Sequence, residues 1–272
     1  MKKFSSYLKE LQYLNVDNTL IKKEKTVIIL SGSSNYKSAS LSETQKNFLK
    51  IFKEFGYNII NSNFPYNENF EHKKFEKVSI LKASVSNIVY YWHTLYNKKF
   101  QREIERHLKP LFDLDNIVII TQSSGLNLLK YALKKRDNVL REQNHISKEQ
   151  NYVLKNRNHI LREQSCISEK QNYIEKQNYI LRKQNYISKE QNTVLENQNI
   201  KEKSFHIFSL GPVAQGYGKI ENCIIFKGKK DIYTKILDFH KSDEEVDCEH
   251  LNYLENQKIK EFIYEWLEKN KS

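Results

Sequence analysis

Two adjacent serines stand at a corner between an apolar run and a helical pattern. The apolar run Asn-Ile-Val-Ile-Ile-Thr-Gln, residues 116–122, ends at Ser123, and Ser124 and Gly125 lead directly into the helical pattern. A strand that turns sharply into a helix can present a serine hydroxyl above the edge of a sheet, as in a nucleophile elbow. An ordinary strand-to-helix turn whose serine caps the helix gives the same pattern, and this stretch alone favours neither interpretation.

The position of the glycine decides which serine would be the nucleophile. The usual elbow sequence is Gly-x-Ser-x-Gly, and here Thr121 stands in the place of the first glycine. With Gly125 as the second glycine, Ser123 becomes the nucleophile. The backbone N–H of Ser124 would then face the oxyanion that develops when a serine attacks a carbonyl. Such a serine also needs a base and an acid from elsewhere in the chain.

Two later segments supply these partners, in the order nucleophile, acid, histidine. The apolar run at residues 223–226 is followed, after Lys227, by Gly-Lys-Lys-Asp, which ends at Asp231, and His250 stands shortly before an amphipathic C-terminal helix. In these motifs the sequence resembles the α/β-hydrolase superfamily, over nearly all of its length except a repeat in the middle. The resemblance implies that Asp231 is the acid, that His250 is the base, and that the backbone N–H of Ser33 is a second oxyanion donor.

Other acidic residues compete with Asp231 for its role. Asp238, Asp243 and Asp247 lie in the same part of the chain, and Asp231 is preferred because it directly follows an apolar strand. The remaining histidines have no matching partners and are expected at surface or half-buried positions.

The resemblance implies the hydrolysis of a small-molecule carboxylic ester or thioester through an acyl-enzyme on Ser123, with no metal or organic cofactor. Two alternatives stay open. One is an acyltransferase that uses the same three residues. The other is a non-catalytic interaction protein on a hydrolase fold, in which the repeat binds a partner or dimerises. Specificity for the acyl group and the alcohol resides in loop shapes that carry no motif.

The elements that would position these residues alternate along the chain. The strand patterns cover residues 25–35, which end in a small-residue loop, and residues 57–64, 116–122, 205–214 and 221–231. Helical patterns separate them, including a long stretch over residues 77–111 in one piece or two. This alternation predicts an α/β fold whose mostly parallel sheet is flanked by helices. We expect residues 1–138 and 204–272 to form one α/β-hydrolase-like domain.

A heptad repeat over residues 139–203 interrupts that domain. Gln-Asn pairs recur mostly every seven residues, and the repeat contains no glycine and no proline. Only one position of each heptad is firmly apolar, which is poor for a coiled coil. The pattern favours a solvated helix or a partly disordered insert, and the alternative is a rod that makes a homo-oligomer. Since the insert follows the helix that runs back from Ser124, we expect it at the sheet edge opposite the candidate site.

The composition excludes several classes of partner. The formal net charge is +12, but the lysines are dispersed and form no cluster aimed at phosphates, so nucleic-acid binding is not expected. Three cysteines whose spacings match no zinc pattern indicate a reducing compartment. The N-terminus lacks the apolar segment of a signal peptide, and no run reaches the roughly 20 apolar residues of a membrane span. We therefore expect a soluble, cytoplasmic protein.

Overall fold

The computed structural model describes residues 4–32, 39–70, 80–136, 205–216 and 220–271. The chain divides into one unit of residues 1–135 and 203–272 and a second unit of residues 136–202. Apart from Arg136, the second unit lies outside the described residues, and so does the heptad repeat predicted over residues 139–203.

Six strands and seven α-helices alternate through the described part of the chain. In order they are α1 (Phe4–Tyr13), β1 (Thr26–Ser31), α2 (Glu43–Lys53), β2 (Asn58–Ile59), α3 (Ile80–Tyr96), α4 (Lys98–Leu108), β3 (Ile117–Gln122), α5 (residues 125–136), β4 (Phe205–Leu210), β5 (Cys223–Gly228), α6 (Ile232–Leu237), β6 (Glu244–Val246) and α7 (Gln257–Lys269). Of the helices that the structure describes, none combines the length and the apolar character needed to cross a membrane.

The strands form a single parallel sheet in the order β2-β1-β3-β4-β5-β6. In the middle of the sheet, Ile120 of β3 lies opposite Ile29 of β1 and Phe208 of β4. Because all the strands run the same way, the segments that follow β3, β5 and β6 meet at one edge. The prediction of a mostly parallel sheet flanked by helices is confirmed.

Helices cover both faces of the sheet, because successive residues of each buried strand point to opposite sides. Ile117 and Ile119 of β3 belong to a core cluster that includes apolar side chains of α1, α4 and α5. Val118 and Ile120 belong to a second cluster with side chains of α2 and α7. Both faces of β3 are therefore buried, which explains why its sequence is continuously apolar.

The edge strand β2 is shorter than the pattern over residues 57–64 predicts. It covers only Asn58–Ile59, and a side chain takes over the pairing beyond it. Oδ1 of Asn63 accepts from the backbone N–H of Ser31 at 3.0 Å, and Nδ2 of Asn63 donates to the Ser31 carbonyl at 3.0 Å. These two bonds satisfy the last residue of β1 where the neighbouring strand has ended.

The helical stretch over residues 77–111 is broken in two at Asn97. Oδ1 of Asn97 accepts from the backbone N–H groups of Lys99 and Phe100, so Asn97 caps α4. An asparagine that caps a helix in this way has a non-helical backbone, so it ends the preceding helix. The stretch therefore forms two helices, α3 and α4.

Candidate active site

The turn after β3 holds Ser123 in a strained backbone conformation. Its φ is 53°, in the left-handed region that residues other than glycine seldom adopt. The N–H of Ser123 donates to the carbonyl of Leu210 at 3.3 Å, and its carbonyl accepts from the N–H of Val213 at 3.0 Å. These bonds tie the turn to the end of β4 and the segment after it, and they stabilise the strained conformation.

The close approach of strand and helix behind this turn depends on Gly125. A Cβ atom at this position would lie 1.8 Å from the carbonyl oxygen of Leu30 in β1. Thr121, which replaces the first glycine of the elbow pattern, is fully buried in β3, and its hydroxyl donates to Oγ of Ser209 at 2.9 Å. The turn therefore needs a glycine at position 125 and accepts a threonine at position 121.

Three side chains from separate loops form a continuous chain of hydrogen bonds. Oγ of Ser123 lies 2.9 Å from Nε2 of His250, and Nδ1 of His250 lies 2.8 Å from Oδ2 of Asp231. Asp231 follows β5, and His250 lies between β6 and α7, so all three residues stand at the carboxyl edge of the sheet. If the Nδ1 proton of His250 is donated to Asp231, Nε2 is free to accept the serine proton.

Asp231 accepts four hydrogen bonds. Its Oδ1 accepts from the backbone N–H groups of Tyr233 at 3.0 Å and Thr234 at 3.2 Å, which begin α6. Its Oδ2 accepts from His250 and from the hydroxyl of Tyr253 at 2.6 Å. Burial would raise the pKa of Asp231, but the hydrogen bond and charge of His250, with Tyr253 and Thr234, outweigh burial and lower this pKa. The carboxylate therefore stays ionised and can orient His250.

Tyr253 is a part of this arrangement that sequence reasoning missed. Its hydroxyl donates to Asp231 and accepts from the backbone N–H of Gly228 at 2.7 Å, so its orientation is fixed from both sides. Burial, and then the hydrogen bond to Asp231, raise the pKa of Tyr253 far above its usual range, which keeps the phenol protonated. Gly211 makes room for the ring, because a Cβ atom there would lie 2.4 Å from it.

Asn87 of α3 is a second residue that sequence reasoning missed. Its Nδ2 donates to Oγ of Ser123. Its Oδ1 accepts from the backbone N–H of Ser124 at 3.3 Å and from the hydroxyl of Ser124 at 2.5 Å. A Cβ atom on Gly32 would lie 2.8 Å from the same Oδ1, so glycine at this position makes room for the amide.

The remaining residues predicted for the site lie elsewhere or are not described. Ser33, predicted as an oxyanion donor, lies outside the described residues. Asp238 is buried against His240, with 2.6 Å between Oδ1 and Nδ1. Asp243 accepts from a backbone N–H of β5, and Asp247 pairs with a lysine at the surface. None of these three carboxylates is paired with His250. In the described part of the chain, no group of three or more His, Cys, Asp or Glu side chains could hold a metal ion.

A cavity of about 320 Å³ adjoins the reacting side chains between α3 and α6. Asn87 and His250 both line it, and both contact Oγ of Ser123. Its volume lies within the range of small-molecule binding sites. The cavity therefore offers a place for part of a substrate beside the serine hydroxyl.

No protein-family model matches the chain, and comparison with curated proteins and with solved structures finds no similar protein. The fold is a parallel α/β sheet flanked by helices, and many unrelated functions occur on such folds. The function must therefore be inferred from the geometry of Ser123, His250 and Asp231 themselves.

Proposed function

We propose that the chain is a serine hydrolase of the α/β-hydrolase kind, which cleaves a carboxylic ester or thioester through an acyl-enzyme on Ser123. The observation that carries this proposal is the chain of hydrogen bonds from Ser123 through His250 to Asp231. In the same proposal, residues 1–138 and 204–272 form the hydrolase-like domain, and residues 139–203 form an insert in it.

The first half of the reaction acylates the serine. Nε2 of His250 takes the hydroxyl proton as Oγ of Ser123 attacks the carbonyl carbon. The carbonyl oxygen becomes an oxyanion, to which the backbone N–H of Ser124 at the start of α5 donates. The ionised Asp231 holds the imidazole in the required tautomer and stabilises the imidazolium. The tetrahedral intermediate then collapses, and His250 gives its proton to the departing alcohol or thiol.

The second half of the reaction releases the acid. His250 takes a proton from a water molecule, and the hydroxide attacks the acyl carbon on Ser123. The second tetrahedral intermediate breaks the bond to Oγ, the serine recovers its proton from His250, and the carboxylic acid leaves. The two steps use one water and leave the protein unchanged.

A fluorophosphonate probe tests this proposal, because it phosphonylates an activated serine with loss of fluoride. We expect one label, mapped to the peptide that carries Ser123. Ser123→Ala should abolish the label, and His250→Ala should slow labelling severely because the base is missing. Ser124→Ala is the matched control on the neighbouring serine, and it should still label because its backbone N–H remains.

Three other outcomes would contradict the proposal or change it. A label on Ser124 would move the nucleophile by one residue. Hydrolysis that gives way to acyl transfer when an alcohol is added would point to the acyltransferase reaction. A folded protein that takes no label and releases no acid from short p-nitrophenyl esters would favour a non-catalytic interaction protein.

A further inference from the structure

The cavity beside Ser123 is lined mainly by apolar side chains. Ile88 and Trp92 come from α3, Leu237 comes from α6, and Val213 and Leu251 come from the loops at the carboxyl edge of the sheet. Of its described lining residues, none is a Lys, Arg, Asp or Glu. A charged substrate group would lose its hydration there without gaining an ionic partner.

Two of the polar groups that line the cavity away from the reacting serine, the hydroxyls of Ser84 and Tyr233, contact each other. Oγ of Ser84 and the hydroxyl of Tyr233 lie 3.3 Å apart, which joins α3 to α6 across the cavity. Around them, large apolar side chains are exposed to water: 52% of Ile88, 56% of Trp92 and 49% of Leu251. Such contiguous apolar exposure is unfavourable in water, and an apolar ligand would relieve it.

We propose that this cavity binds an uncharged apolar group of the ester or thioester, of about ten non-hydrogen atoms or fewer. This proposal rests on the hydrolase function proposed above. The size follows from the volume of about 320 Å³ and from about 30 Å³ for each water-sized group. Medium-length alkyl chains and single aromatic rings have the required chemistry and size.

A series of p-nitrophenyl esters from acetate to dodecanoate tests this proposal. We expect kcat/KM to rise by about fourfold per methylene group while the chain fills the cavity. Beyond about ten atoms kcat/KM should stop rising. An ester of the same length that ends in a carboxylate should react at least tenfold more slowly than its methyl-terminated counterpart.

A pair of tryptophan variants on α6 tests whether the chain-length preference arises in this cavity. Leu237 lines the cavity, whereas Ile236 is 63% exposed and does not line it. Leu237→Trp should therefore shorten the preferred chain, and Ile236→Trp, which adds a similar bulk to the same helix, should leave the preference unchanged. Thermal unfolding of both variants checks that they are folded.

The results separate this proposal from the one on which it rests. If kcat/KM does not change with chain length, or if the two tryptophan variants prefer the same chain length, the cavity assignment is wrong. Fluorophosphonate labelling of Ser123 would still support the hydrolase proposal in that case. Without labelling of Ser123, both proposals would fall.

A separate observation concerns Asn87, whose amide stands between the two serines. Its Oδ1 accepts from the N–H of Ser124 at 3.3 Å, which is the N–H that the substrate oxygen requires. A substrate carbonyl must therefore displace this oxygen before Ser123 can attack it. Rotation of the Asn87 side chain would withdraw Oδ1 from this N–H and leave its place to the substrate oxygen, with Nδ2 beside that oxygen.

We infer that Asn87 is a catalytic residue which donates from Nδ2 to the oxyanion, beside the N–H of Ser124. The amide already contacts the reacting atom, Oγ of Ser123, so it needs no movement of α3 to take this role. An oxyanion is stabilised by two donors aimed at one point, and Nδ2 of Asn87 forms such a pair with the Ser124 N–H once Oδ1 has withdrawn. This inference also rests on the proposed hydrolase function.

Two substitutions at Asn87 test the inference. Asn87→Ala removes the donor, and we expect kcat to fall about 10² to 10³-fold with little change in KM. Asn87→Asp keeps the shape but puts a negative charge beside the oxyanion, so kcat should fall further. Val85→Ala, an exposed position of the same helix, is the control and should have little effect.

The opposite result has a clear meaning. If the amide only blocks the N–H of Ser124, Asn87→Ala should leave kcat unchanged or raise it, and the inference would be wrong. In either case Ser123 would still be labelled by the fluorophosphonate. That label keeps a failure at Asn87 distinct from a failure of the hydrolase proposal.

Discussion

At Asp231, the two carboxylate oxygens have separate partners. Oδ1 accepts from two backbone N–H groups and caps α6, whereas Oδ2 accepts from His250 and Tyr253. An asparagine could keep the first pair of bonds, since asparagine and aspartate cap helices about equally well. It would present an N–H₂ group in place of Oδ2, and this group would face Nδ1 of His250 as a donor.

We therefore expect Asp231→Asn to fold but to lose roughly three to four orders of magnitude in turnover. The asparagine would favour the tautomer of His250 that carries its proton on Nε2, and this nitrogen could no longer accept the serine proton. Initial rates on a p-nitrophenyl ester, with thermal unfolding as the check on folding, measure the effect. Asp243→Asn is the control at a competing aspartate. If Asp243→Asn lost activity while Asp231→Asn kept it, the assignment of Asp231 as the acid would be wrong.

The sequence predicts some residues of this site and misses others for a physical reason. Ser123 directly follows β3 and Asp231 comes three residues after the end of β5, and parallel strands bring such positions to one edge of the sheet. Asn87 and Tyr253 reach the site from α3 and from the turn before α7, where no local spacing marks a side chain that points at a distant partner. Such contacts depend on tertiary packing, which periodicity alone does not reveal.

At the scale of elements, Thr121 explains how β3 departs from the usual elbow pattern. Its hydroxyl bonds to Ser209 within the sheet, and the close contact with the following helix falls at Gly125 instead. We expect Thr121→Gly to lower the free energy of unfolding by about 1–2 kcal/mol, through added backbone freedom and one lost hydrogen bond. Urea denaturation measures this.

The labelling rate of Ser123 should change by less than about twofold in Thr121→Gly, because the turn itself keeps its hydrogen bonds. An increase of tenfold or more would mean that the threonine holds the serine in a position unfavourable for attack.

A buried histidine at the contact between α1 and α4 should make the free energy of unfolding depend on pH. His107 of α4 and His240 are each 3% exposed, so the expectation of surface or half-buried positions is wrong for these two histidines. Nε2 of His107 lies 3.3 Å from the carbonyl of Leu11. Burial lowers the pKa of His107 to about 4; the Leu11 carbonyl opposes this shift and Arg106 adds to it. The carboxylate of Glu103, 3.8 Å away, also faces the imidazole.

Because the folded pKa of His107 is the lower one, the unfolded chain binds its proton more readily between about pH 4 and 6.5. The contribution of neutral His107 to the free energy of unfolding is fully present above pH 6.5. It falls as the pH drops, by about 2 kcal/mol between pH 7 and pH 5. His107→Gln does not titrate, so urea denaturation at the two pH values should give a correspondingly smaller difference. An unchanged difference would assign the pH dependence to other groups.

At the same scale, the apolar runs predict the strands well where both faces are buried, as in β1 and β3. They overpredict β2, since the side chain of Asn63 completes the hydrogen bonds of Ser31 in place of a backbone strand. A polar residue at the end of a strand pattern can therefore either continue the strand or replace it, and only tertiary structure decides between the two.

At the scale of the whole molecule, the chain leaves the described domain after α5 and returns to it at β4, and these two positions indicate where the repeat is inserted. The described part of α5 ends at Arg136, and the chain returns at β4, whose first residue, Phe205, lies opposite Ile117 at the amino end of β3. Ser123 follows the other end of β3. Six ladder pairs therefore separate the return point from the edge of the sheet that carries the candidate site.

We expect the segment between Lys135 and Ser204 to be dispensable for folding and chemistry. A variant that joins these residues through a short glycine-serine linker should keep the thermal unfolding midpoint and the fluorophosphonate labelling rate of the full chain, since every hydrogen bond of the site remains. The same deletion with Ser123→Ala is the control for labelling. Loss of folding would mean that the deleted residues pack on the remaining domain. A change from dimer to monomer in light scattering, with labelling retained, would show that the repeat acts as a dimerising rod.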